Sequence, residues 1–103
     1  MGDIEKALNV LKALSDSTRL RIVYFLLDGE RCICQIIPYV KRSQPTVSIQ
    51  LSKLRRFGIV RSRKEGRQVY YRISNYRVCD VFKALGFEKG KILKKKCCME
   101  RSE

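Results

Sequence analysis

Five cysteines and not one histidine are the features of this 103-residue chain that most narrow its chemistry. Cys32 and Cys34 form a Cys-x-Cys, Cys97 and Cys98 are adjacent, and Cys79 stands alone. Thiols placed in pairs hold soft ions or oxidise to one another, the bland alternatives being two small buried apolar residues at 32 and 34 and an inert basic tail at 97 and 98. The number is odd and Met1-Gly2-Asp3-Ile4-Glu5-Lys6 lacks the basic-then-apolar plan of a secretion signal. Free thiols in a reducing cytoplasm are therefore expected rather than a disulfide framework. The missing histidine removes the commonest general base and the commonest nitrogen ligand for zinc, and no glycine-rich phosphate loop is present. An enzyme is the weakest reading.

Spacing adds a geometric condition. Residues two apart on a regular helix lie about 200° apart around its axis, so Cys32 and Cys34 share one ion only where the backbone is extended. Such an ion would pull the start of a helix there away from helical geometry. Cys97 and Cys98 follow Lys94-Lys95-Lys96, whose ammonium groups favour the thiolate that binds metal and reacts. Cys79 lies beside a helical apolar stripe and reads as core.

The charge points to a polyanion: 23 Lys plus Arg stand against 10 Asp plus Glu, a net +13. Ten of the cations (Lys41, Arg42, Lys53, Arg55, Arg56, Arg61, Arg63, Lys64, Arg67 and Arg72) fall in one stretch that holds a single anion, Glu65. Within it Gln44, Thr46, Ser48 and Gln50 are the types that read base edges in a major groove. Lys53, with Arg55 or Arg56, suits the nucleic-acid backbone, and Arg63, Lys64 and Arg67 suit phosphates or the adjacent minor groove.

The elements that must position these groups are legible from periodicity. The chain is short and 45% hydrophobic, enough for one core, and no apolar run is long enough to span a membrane. Ile4, Ala7, Leu8, Leu11 and Leu14 mark one face of a first helix over 3–14. Ser15 or Asp16 caps a second over 17–28, apolar around most of its circumference and stopped by Gly29. A third starts at Cys32 or Ile33 and runs to 40, kinked or shortened by Pro38. Ser43 caps a fourth with Pro45 in its first turn, Val47, Leu51 and Leu54 inward, and Gly58 at its end. Runs 59–64 and 68–73 form a hairpin through Glu65-Gly66-Arg67, with Val69, Tyr71 and Ile73 inward. One final helix, or two shorter ones, covers 75–96 with Val78, Val81, Phe82 and Leu85 in its stripe. The order ααααββα is a mainly α, winged helix-turn-helix plan: a single domain over 1–96 with a tail over 97–103. The stripes of Ile4, Leu8 and Leu11 and of Val78, Phe82 and Leu85 exceed what so small a subunit buries alone, which predicts dimerisation through the first and last helices.

The segments Leu11-Lys12-Ala13-Leu14-Ser15-Asp16-Ser17-Thr18-Arg19-Leu20-Arg21-Ile22, Gly29-Glu30-Arg31-Cys32-Ile33-Cys34, Ser43-Gln44-Pro45-Thr46-Val47-Ser48 and Lys64-Glu65-Gly66-Arg67-Gln68-Val69-Tyr70-Tyr71-Arg72 carry a resemblance. From about residue 8 to 74 the chain resembles the ArsR/SmtB family of metal-responsive repressors. The resemblance implies a homodimer paired through its first and last helices, an inverted-repeat operator in double-stranded DNA, and release when an inducer binds. It matches residues 43–48 to the start of the recognition helix and 64–72 to the wing, although many members carry Arg-His where Ile49-Gln50 stands here. Glu30 to Cys34 is similar to the metal box of the arsenite-, antimonite-, cadmium- and lead-sensing branch, in which a third cysteine often occupies the place of Ile37. Arsenite prefers three thiolates and zinc four donors, so Cys97 and Cys98 are the candidates to complete a site begun by Cys32 and Cys34. The ion is an inducer and no cofactor is obligatory. Two alternatives remain: a redox-sensing repressor of the same fold, and a basic nucleic-acid-coating protein without regulation.

Overall fold

The chain begins with a helix whose charges suit its dipole, Asp3 and Glu5 in the first turn and Lys12 in the last. In the computed structural model, which describes residues 2–87, this is α1 (Gly2–Ala13). Val10, Ala13 and the following Leu14 enter the core, whereas Ile4, Leu8 and Leu11 remain 63%, 43% and 58% exposed. The apolar positions of the first helix therefore split between a face for the subunit's own interior and a face left to solvent.

Asp16, in extended conformation, accepts the backbone N–H of Arg19 at 3.1 Å and starts α2 (Ser17–Leu26), whose Ile22, Val23 and Leu26 are buried. Gly29, at φ 136°, turns the chain into β1 (Arg31–Cys32). This two-residue strand is an addition to the expected plan, too short to show any alternation. α3 (Ile33–Val40) follows directly. Pro38 lies inside it without breaking it: the proline is exposed, and the helix ends two residues later with Lys41 left-handed at φ 59°. Phe25 of α2 stacks on Tyr39 of α3 with ring centroids 4.0 Å apart.

α4 (Gln44–Arg56) presents Val47, Leu51 and Leu54, all fully buried, to the core. β2 (Val60–Glu65) and β3 (Gln68–Ile73) pair antiparallel from Val60↔Ile73 to Glu65↔Gln68, the first strand displaced by one residue from the expected 59–64 run. Gly66, at φ 64°, supplies the positive φ that a two-residue connection needs. β1 joins the other side of β3, giving the sheet order β1-β3-β2. Tyr71 and Ile73 are buried and Val69 packs on the core, as alternation predicted.

α5 (Arg77–Ala84) buries Val78, Cys79 and Phe82, which corrects the reading of the last stripe. Val78 and Phe82 are core residues of the subunit itself, because Phe82 packs against Tyr24 and Phe87 with centroids 5.7 and 5.4 Å away. Of that stripe only Leu85 is left open, at 62% exposure. The remainder of the segment expected over 75–96, the tail over 97–103, and Cys97 and Cys98 with it, lie outside the described residues. No helix among the described residues is long and apolar enough to cross a membrane.

Candidate nucleic-acid interface and thiol pair

The outer face of α4 is set by its cap and its anchors. Ser43 Oγ accepts the backbone N–H of Thr46 at 3.3 Å and donates to Thr46 Oγ1 at 3.0 Å, and Pro45 occupies the first turn where no donor is needed. Ser43 is thus the helix cap that the sequence indicated, and Thr46 spends its hydroxyl on the same cap. Ser43→Ala should lower unfolding stability by about 1 kcal/mol, the usual loss for an N-cap. Urea unfolding at fixed protein concentration measures it, and an unmoved midpoint would mean that α4 does not depend on this cap.

With Val47, Leu51 and Leu54 inward, helical rotation turns Pro45, Ile49, Ser52 and Arg56 most directly outward, and all four are exposed. Gln44 is exposed at the start of the helix. Thr46, Ser48 and Gln50 are half-buried on its flanks, while Lys53 is exposed one turn further on. Gln50 Oε1 accepts from Arg19 Nη1 at 2.8 Å, which ties this side chain to α2. Ile49, 55% exposed, was not among the sequence candidates because base readout is sought among polar types. An apolar side chain there suits the methyl group of thymine.

The hairpin divides its cations in two groups. Lys64 and Arg67 are exposed at the tip. Arg63 is committed: it donates to both Glu30 carboxylate oxygens at 2.8 and 2.9 Å and to Glu65 at 2.7 Å, and it lies 4.7 Å over the Tyr70 ring. Two carboxylates and a ring fix Arg63 as a brace of the hairpin, and the hydrogen bonds to the carboxylates raise its own pKa. The hydrogen bond from Arg63, reinforced by the charges of Arg63 and Arg72, holds the Glu30 carboxyl below its ordinary range. A depressed carboxyl stabilises the folded form above its ordinary pKa, and that contribution fades as the pH falls through the lowered value.

Near the junction of α1, α2 and α4, Asn9, Arg19, Lys53, Arg56 and Phe57 line an open cleft of about 490 Å³ with three cations and no carboxylate. A second groove, of about 650 Å³, runs between α1 and α5 and is lined by Lys6, Ala7, Val10, Leu11, Arg77, Asp80 and Val81.

The thiol pair sits where strand becomes helix. Cys32 is the N-cap of α3, extended at φ −75° and ψ 149°, and its Sγ accepts the backbone N–H of Cys34 at 3.2 Å. Its own N–H donates to Gln35 Oε1 at 3.0 Å, completing a capping box. Cys34 Sγ donates to Cys32 Sγ at 2.6 Å, and Cys32 Sγ donates to Gln68 Oε1 at 2.7 Å at the start of β3. Cys32 is buried and Cys34 exposed. The two sulfurs therefore converge with α3 intact. Cys32 is outside the helix and extended, the backbone condition under which the two thiols were expected to face one ion. The hydrogen bond that Cys34 gives to Cys32 favours the protonated thiol and, with some desolvation and the charge of Cys32, pushes the Cys34 pKa up. Cys79 is buried in the core, where its place beside the apolar stripe put it. No group of three or more Cys, Asp or Glu side chains that could hold a metal occurs among the described residues. The Glu30 carboxylate, close in sequence, is taken by Arg63, and Ile37 is half-buried in α3.

A helix-turn-helix whose second helix turns a polar and basic face outward, flanked by a cation-tipped hairpin, defines a winged helix DNA-binding protein. Residues 16–62 match the family described as "Bacterial regulatory protein, arsR family". An HTH-type transcriptional regulator of Methanocaldococcus jannaschii is 43% identical over 84 residues, covering 81% of this chain and 94% of that protein. A cadmium resistance transcriptional regulatory protein CadC homolog of Staphylococcus aureus is 44% identical over 70 residues, covering 67% of this chain and 58% of its own length. The arsenical resistance operon repressor of Escherichia coli K12 is 41% identical over 68 residues, covering 65% and 58%. The chain thus spans somewhat over half the length of these two resistance regulators. Among solved structures, HlyU from Vibrio cholerae superposes with a TM-score of 0.76 at 35% identity, covering 81% of this chain and 90% of that one. A homodimeric winged helix-turn-helix DNA-binding domain from Mycobacterium bovis gives 0.72 at 32% identity, covering 82% and 78%. The chain belongs to the ArsR family, and is a DNA-binding transcriptional regulator rather than an enzyme.

Proposed function

We propose that the protein is a cytoplasmic, homodimeric repressor that binds an inverted-repeat operator and releases it when a thiophilic ion binds Cys32 and Cys34. Arsenite or antimonite is the first choice of inducer and cadmium or lead the next, with a third thiol from Cys97 or Cys98. The observation that carries this reading is the convergence of the two sulfurs, 2.6 Å apart, at the junction of β1 and α3. Two soft donors already turned toward one point match the chemistry of these ions. The same junction supplies a route to DNA: β1 pairs with β3 of the wing, Cys32 Sγ meets Gln68, and Glu30 braces Arg63. An ion that pulls on Cys32 therefore acts on the wing as well as on α3. The names of the cadmium and arsenical relatives support the class of inducer, and the exposed Ile4, Leu8, Leu11 and Leu85 support a dimer built on α1 and α5. Gln44, Ile49, Ser48 and Lys53 on α4, with Lys64 and Arg67 on the wing, are the side chains assigned to DNA.

The test is operator footprinting with and without ion, alongside thiolate-to-metal absorption. A palindromic footprint lost on titration with arsenite or cadmium supports the reading. Protection without a palindrome would indicate a coating protein. Release by mild peroxide, with a disulfide seen by mass spectrometry and no response to the ions, would indicate a redox sensor.

The pKa of Cys34 gives this reading a sign with pH. Its raised value keeps the proton on sulfur through neutrality, so an ion must displace it. Apparent ion affinity should accordingly rise from about pH 6 to about pH 8 as the competing proton becomes scarcer. A titration midpoint that does not move over that interval would sink a site made of these thiols.

A further inference from the structure

Arg19, in the Asp-Ser-Thr-Arg turn that opens α2, makes contacts that neither the DNA face nor the thiol pair accounts for. Its Nε donates to the Ala13 carbonyl at 2.9 Å and its Nη2 to the Lys12 carbonyl at 3.1 Å, both at the C-terminal end of α1, the second of them shared with the N–H and hydroxyl of Ser15. Its third arm, Nη1, reaches Gln50 Oε1 on α4 at 2.8 Å, 31 residues away in sequence. The guanidinium also lies 5.8 Å from the centroid of Phe57, the C-cap of α4. Its backbone N–H is held by Asp16, so the side chain leaves from a fixed point. One planar, pre-organised group thus touches the end of α1, the start of α2 and the middle of α4.

These three helices have different tasks. α1 carries the exposed Ile4, Leu8 and Leu11, and α4 carries the groups that meet DNA. In a helix-turn-helix dimer the separation of the two recognition helices must match about one helical turn of DNA or a multiple of it. That separation depends on the angle between the helix that dimerises and the helix that reads. We propose that Arg19 is a positioning residue that fixes the angle between α1 and α4, and so sets the half-site spacing the repressor accepts. Gln50 is the α4 end of this strut rather than a base reader. The inference rests on the proposed dimeric operator complex.

The experiment measures affinity for a series of duplexes carrying the two footprinted half-sites at spacings stepped by one base pair. The wild-type dimer should favour one spacing over its neighbours by about tenfold or more, since each step displaces a half-site by about 3.4 Å and rotates it around the duplex. Arg19→Lys keeps the cation but loses the fork that spans three acceptors. It should bind the best spacing about tenfold more weakly and flatten the profile, with dimerisation and melting temperature close to wild type. Gln50→Leu breaks only the α4 end and should flatten the profile in the same way. A Gln50 that read bases would instead lose one common factor at every spacing, and that result overturns the proposal. So does an Arg19→Lys profile that keeps the wild-type shape, or a variant that loses affinity only because it no longer dimerises. A wild-type protein indifferent to spacing would overturn the operator reading itself and the strut with it.

Discussion

Replacing either Cys32 or Cys34 with serine is expected to abolish ion binding at the thiol pair while leaving operator binding in place. Loss of a ligand should exceed the roughly 10- to 100-fold cost of losing an outer-shell partner, so the operator should stay occupied at ion concentrations that release the wild type. Serine makes the separation clean at position 32. Its hydroxyl is a favoured N-cap, able to accept the Cys34 N–H and to donate to Gln68 as the thiol does now. The variant should therefore fold, dimerise and bind DNA like the wild type and differ only in release. At position 34 the side chain is exposed, and serine costs little packing. The measurement pairs thiolate-to-metal absorption with gel-shift titration. If both single variants still release DNA on adding the ion while replacement of Cys97 and Cys98 blocks release, the sensor lies wholly at the C-terminal pair.

Leu8→Asp should dissociate the dimer and weaken operator binding by about 100-fold or more, the range over which two linked contacts exceed one. Leu8 sits between Ile4 and Leu11 on the exposed face of α1, so a carboxylate there would be desolvated against an apolar partner surface on association. It lies on the opposite side from Val10 and Ala13, which enter the core, so the subunit itself should keep its fold. Sedimentation equilibrium and gel shifts on one half-site and on the full site separate the two effects. The variant should match the wild type on an isolated half-site and fall behind only on the full operator. A variant that remains dimeric places the interface off α1.

What the sequence disclosed and what it withheld divide along the range of the interactions. Local signals read correctly: Ser43 as cap with Pro45 in the first turn, Gly58 and Gly66 at their turns, and the 3.6-residue spacing of Val47, Leu51 and Leu54. The winged helix plan followed from them. β1 escaped because two residues carry no period, and its strand geometry comes from pairing with β3, about forty positions away. The convergence of the thiols escaped for the same reason: spacing put Cys32 on a helix or a strand, and only the structure makes it the joint between them. Arg63 looked like a phosphate contact because charge is visible in sequence, whereas its pairing with Glu30, 33 residues away, is not. Val78 and Phe82 looked surplus because periodicity finds an apolar face without saying what covers it.

The three-strand sheet has two open edges, and each is made unattractive to another chain by a different means. On one side β1 offers only Arg31 and Cys32. On the other, β2 runs Val60-Arg61-Ser62-Arg63-Lys64-Glu65, with every residue after the first exposed and four of them charged. Edges that are short or charged resist strand-to-strand addition. Growth by sheet extension is discouraged in both directions, which leaves helical surface as the place where two copies can meet. A helical contact that is the same patch on both copies closes on itself through a twofold axis, whereas a head-to-tail one would propagate. A protein this small and this basic can thus accumulate near DNA without its wings seeding aggregates.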